Sequence, residues 1–129
     1  DKDAGSTGKH VVKTEKSELM RLRQLNDKMA FAEQLAVSLL KRSLREYKTN
    51  PATLIGDLKD FINQYPQSPR FKEMSQEINF VQFFSKAVKE EKKGNLGEAQ
   101  KLFSKANGLK PSKELQKRIQ SLDEMDIGL

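Results

Sequence analysis

The sequence predicts an all-α chain: an antiparallel stack of about five helices made of two elongated helix-turn-helix repeats and a C-terminal capping helix. Three observations carry that expectation. After Ser17 every apolar series advances in steps of three and four, the period of a helix and not of a strand. The series are bounded by capping residues and prolines, at Asn50-Pro51, Pro66, Ser68-Pro69, Gly94-Asn95 and Pro111-Ser112. The helix-closing prolines Pro66 and Pro111 each follow a short helix that follows a longer one, and they lie 45 positions apart, which marks an internal repeat.

The segment 1–16 is polar, carries glycines and lacks apolar periodicity, so it reads as a disordered leader or linker. Gly5 to His10 has the composition of a phosphate loop but not its spacing, since two residues separate the glycines and His10 follows Lys9 where a Ser or Thr is needed. His10, the only histidine, has no carboxylate or cysteine cluster beside it and reads as part of a flexible tail. Repeat 1 is expected over about 17–66. Its first helix starts at Ser17, with Asn26 as a second possible start, and carries Leu22, Leu25, Met29, Ala32, Ala36, Leu40, Leu44 and Tyr47 on one stripe. Packing within the chain is the favoured reading of that stripe. The alternative is a dimeric coiled coil with Leu22, Leu25, Met29, Ala32, Ala36 and Leu39 in heptad positions, a seam that Ser43 and Glu46 would interrupt.

Asn50-Pro51 restarts the chain as a short helix, since Asn caps and Pro suits the first helical position. Leu54, Ile55, Leu58, Phe61, Ile62 and Tyr65 give that helix a wide apolar face, and Pro66 ends it. Repeat 2 is expected over about 68–111. Ser68-Pro69 caps a long helix in which Phe71, Met74, Ile78, Val81 and Val88 form a stripe broadened by Phe80, Phe83, Phe84 and Ala87. A helix apolar over so much of its circumference must be covered on two sides. Gly94 ends it, Asn95 caps the next, and Ala99, Phe103 and Ala106 recur at helical spacing before Pro111. With the 45-residue offset, Leu54, Leu58 and Phe61 occupy the places of these three. The capping helix, about 112–125, begins at Ser112 and turns Leu115, Ile119 and Leu122 inward and Lys113, Lys117 and Arg118 outward.

Gly94, Ala99, Phe103, Ala106 and Pro111 stand at the spacing of the second half of a tetratricopeptide repeat, which this stretch resembles; Phe83 and Ala87 extend the likeness upstream. Lys86 and Glu90 depart from it, standing where that family usually has a leucine and a tyrosine. The segment from Phe61 to Pro69, with its Tyr-Pro and Ser-Pro pairs, is similar to the helix end and turn of tetratricopeptide-like bacterial envelope proteins. The resemblance implies a protein-protein interaction module or scaffold that holds a peptide or partner helix in a groove, with Val81, Phe84, Ser85, Val88 and Lys92 facing it. Phe84 and Val88 stand where the class that clamps a carboxylate tail needs Lys, Arg or Asn, which argues against that ligand. The competing reading is that Val81, Phe84 and Val88 pack against the helix over 17–48.

The remaining composition excludes more than it assigns. The 129 residues contain no cysteine, so neither a disulfide nor a thiolate metal site can form, and the compartment stays open between cytoplasm and bacterial envelope. No apolar run reaches the roughly 20 residues of a membrane span. Carboxylate pairs such as Asp57 with Asp60, Glu90 with Glu91, and Asp123 with Glu124 and Asp126 fall on polar faces, where nothing pushes their pKa values apart. With no nucleophile elbow and no glycine-rich loop, the expectation is a non-enzyme without cofactor or metal. The net charge of +6 is interleaved with acids, +4 through residue 50 (11 basic, 7 acidic) and +2 beyond it (13 basic, 11 acidic), which speaks against a nucleic-acid surface. Lys41, Arg45 and Lys48 share one helix face and form the best candidate for an anionic contact. Self-association, through the stripe of Val81, Phe84 and Val88 or through the long first helix, is the alternative class of function.

Overall fold

The computed structural model describes residues 2–127, with side chains from Glu15 to Met125. Five helices follow one another: α1 (Lys2–Glu46), α2 (Pro51–Gln64), α3 (Phe71–Lys92), α4 (Leu96–Leu109) and α5 (Lys113–Ile127). Among the described residues there is no strand, and no helix is long and apolar enough to cross a membrane. The expected all-α stack of helix-turn-helix repeats with a closing helix is the observed fold. The chain divides inside α1 into two compact units, Asp1–Gln34 and Leu35–Leu129.

In the second unit α3 is the central element, packed on α2 and on α4, while α4 also packs on α5. The end of α1 completes its cover: Tyr47 meets Phe80 at a ring separation of 5.3 Å and Phe84 edge-on at 4.9 Å. On the other side Phe84 meets Phe103 of α4 edge-on at 5.5 Å. A helix with apolar residues around most of its girth is thus covered twice, and Met74, Ile78, Phe80, Val81, Phe84 and Ala87 are buried. The two short helices bury the residues paired by the 45-residue offset, Leu54, Leu58 and Phe61 in α2 and Ala99, Phe103 and Ala106 in α4. The small residues of α4 let backbones approach closely around one aromatic. In α2 larger side chains fill the equivalent space.

The turn between α3 and α4 follows from one residue. Gly94 has φ of +86°, which an L side chain adopts only with strain. Its N–H reaches the Glu91 carbonyl at 3.0 Å and the Asn95 N–H reaches that of Glu90 at 2.9 Å, the paired closure of a Schellman motif. Ser112 caps α5 as expected, its hydroxyl accepting from the Leu115 N–H at 3.1 Å. The other expected caps are corrected. Asn50 and Asn95 stand at helix N-termini without a side-chain capping bond, and the Asn95 amide donates to Glu90 at 2.7 Å. Helix α3 begins at Phe71, two residues after Pro69: the Ser68 hydroxyl accepts from the Arg70 N–H at 3.1 Å, and this local turn uses up the cap.

The first unit differs from expectation more. Helix α1 runs from Lys2 without a break at Ser17 or Asn26, so the backbone of the expected leader is helical over 2–16 and no helix starts at Ser17. No proline stands before Pro51, and Gly5 and Gly8 cost only about 1 kcal/mol each, so propagation of an established helix passes through them. The side chains through Thr14, His10 among them, lie outside the described residues. From Glu15 to Phe31 every residue is exposed, including Leu22, Leu25 and Met29 of the stripe expected to pack.

Candidate functional site

The part of α1 from Leu35 onward buries a different face from the one expected. Ala36, Leu39 and Ser43 are buried, whereas Leu40 is half-buried and Leu44 is 67% exposed. Ser43 takes the inward position because α3 supplies it with a polar partner. Its hydroxyl donates to Glu77 Oε1 at 2.5 Å, and Lys110 Nζ, from the end of α4, donates to the same oxygen at 2.6 Å. Glu77 is only 4% exposed. A carboxylate that far from water must be paired and hydrogen-bonded, and both conditions are met here. Lys110 also lies 4.7 Å from the centre of the Phe80 ring, so its charge is shared between a carboxylate and an aromatic face.

Displaced from the buried face, Val37, Leu40 and Leu44 turn outward at steps of three and four and form one wall of an open groove of about 450 Å³. Leu109 adds apolar surface and Glu77 with Lys110 joins the lining. Arg70, Glu73 and Gln76 line it from the start of α3. Its charges are largely matched within the chain, Lys110 to Glu77 and Arg70 to Glu73 at 3.1 Å. Lys41 stands on the lining with its side chain exposed. The groove can therefore take apolar side chains along one wall and one acidic group at Lys41.

The expected site residues separate. Val81 and Phe84 belong to the core, and the groove placed on them is corrected: α1 and α4 cover the face of α3 on which they lie. Ser85 and Val88 are half-buried and Lys92 is exposed beyond them, so the five do not form one surface. Of the three basic residues, Lys41 lines the groove and Arg45 is exposed one turn on. Lys48 is taken up by an ion pair with Glu114 of α5, and that hydrogen bond holds its ammonium above the ordinary 10.5. Beside them, Arg42 donates to Glu46 at 2.5 Å and to Asp57, and the two carboxylates, Glu46 foremost, hold its guanidinium above the usual arginine range.

Two residues escaped the sequence reading. Glu77 had no sign of burial beyond its place one step from Ile78, and only its partners in α1 and α4 explain it. Arg118, expected outward, is half-buried: its guanidinium lies 4.6 Å from the Phe103 ring centre and bonds Glu91 at 2.8 Å. A planar cation that stacks on a ring while paired to a carboxylate closes the end of the stack better than a solvated one. The class defined by the fold is an all-α helical-repeat stack with a lateral groove. No family model, curated protein or solved structure matches this chain, so the geometry stands without a relative to name.

Proposed function

We propose that this protein is a non-catalytic interaction module that holds a peptide or partner helix in the groove between the end of α1, the start of α3 and the end of α4. The observation that carries the reading is the row Val37, Leu40 and Leu44 along the groove, half-buried at the first two positions and exposed at the third. Three apolar residues at helical spacing beside an open groove of about 450 Å³ match the way an amphipathic helix seats its own apolar stripe. Lys41 and Arg45 on the adjoining face favour a ligand with an acidic residue at its edge. Apart from Lys41, the charged groups of the lining are bonded to one another, an arrangement that holds the surface rigid. The tetratricopeptide-like assignment is likewise a proposal, supported by the buried Ala99, Phe103 and Ala106 after the Gly94 turn.

The test is selection of helix-forming peptides from a displayed library on the whole chain, followed by methyl NMR. Bound peptides should shift the methyls of Val37, Leu40, Leu44 and Leu109, and Leu44→Glu should weaken them at least about tenfold with melting unchanged. Selected peptides that bind Leu44→Glu as tightly as the parent would remove the groove from the proposal.

A further inference from the structure

Helix α1 carries a second apolar surface, in the unit Asp1–Gln34 and independent of the groove. Leu19, Leu22, Leu25 and Met29 are each about half exposed or more, Leu19 at 65%. An isolated helix of this kind is marginal in water, and most helical stability comes from covering the apolar face. We infer that the segment from Glu18 to Ala30 pairs in parallel and in register with the same segment of a second copy of this chain.

The register follows from residue chemistry. With Leu19 at a heptad a position, Leu22 falls at d, Asn26 at a and Met29 at d. Leu25 at g and Ala30 at e widen the seam. Glu18 then stands at g and Arg23 at e, so each Glu18 faces the Arg23 of the other copy, and both side chains are exposed for that pairing. Asn26 selects the orientation. In parallel register the two Asn26 amides meet and satisfy one another, donor to acceptor, whereas an antiparallel pair centred on this segment sets Asn26 against Leu22 and leaves its amide without a partner. A lone asparagine at an a position is a known device for fixing register and strand number at some cost in stability. The series that favours a longer seam, through Ala32, Ala36 and Leu39, is unavailable, since those side chains are buried within the protomer. The seam is short, and the dimer is correspondingly weak and concentration-dependent.

The chain has no cysteine, which makes the test direct. Sedimentation equilibrium of the whole chain up to about 1 mM should show the mass rising from one protomer towards two, and Leu22→Glu should hold it at one with circular dichroism of the stack unchanged. Asn26→Cys should oxidise to a disulfide-linked dimer, and Gln24→Cys, at the outward f position, should not. A chain that stays monomeric throughout overturns the inference. So does a dimer that survives Leu22→Glu, and so does Asn26→Cys oxidising no faster than Gln24→Cys.

Discussion

Leu22, Leu25 and Met29 continue the same three-and-four series as Ala36, Leu39 and Ser43, yet the first three are exposed and the last three buried. Periodicity marks a face as built for cover without naming what covers it. The difference lies in size and in partners. Ala36 lets a neighbouring helix come close, and Ser43 has Glu77 to bond, so this stretch is matched to α3. The leucines and methionine upstream have bulk that only another surface can absorb. A helix can thus be half scaffold and half docking strip with no change in its pattern.

The strongest contrast is expected in the core. Phe103→Ala should cost about 3 to 5 kcal/mol in denaturant unfolding, because Phe103 is fully buried between Phe84 and Arg118. Leu25→Ala, on the exposed stretch, should change stability by less than about 0.5 kcal/mol at low protein concentration. Equal costs at the two sites would erase the distinction. Next in size is Glu77→Ala, expected at about 1 to 3 kcal/mol since it strips Ser43 and Lys110 of their shared acceptor. A double-mutant cycle with Lys110→Met should show coupling, and additive losses would mean that the node does not join α3 to α4.

How much of this was legible in the sequence depends on whether a residue's partner was near in the chain. The helices α2, α4 and α5, the left-handed Gly94 and the buried triplets of the two short helices could all be read, because spacing and punctuation are local properties. The site could not. Whether Phe84 lines a groove or a core turns on Tyr47 and Phe103, which reach it from different helices. Glu77 and Arg118 look like ordinary surface charges until their acceptor, donor and ring partners are assembled around them. Even the rotation of α1 that turns Ser43 inward and leaves Leu44 exposed goes with one serine finding one carboxylate.

The smallest effect sharpens the comparison from the surface side. Lys48 and Glu114 form an exposed pair, so Glu114→Gln should cost no more than about 1 kcal/mol, less at high salt. The pair raises the Lys48 pKa above 10.5, so its contribution is complete below pH 10.5 and is lost as pH rises through the raised value. Urea unfolding of parent and Glu114→Gln should therefore differ at pH 7 and converge in strong alkali. A gap that widens with pH would reverse the assignment.

The central claim, that α1 is uncovered from Glu15 to Phe31 and covered from Ala32 onward, is tested most directly by amide hydrogen exchange along that one helix at low micromolar protein. Amides from Ala36 to Glu46 should exchange only through global unfolding of the stack, and those from Leu19 to Phe31 should exchange by local opening orders of magnitude faster. Equal protection of the two stretches at that concentration would contradict the account.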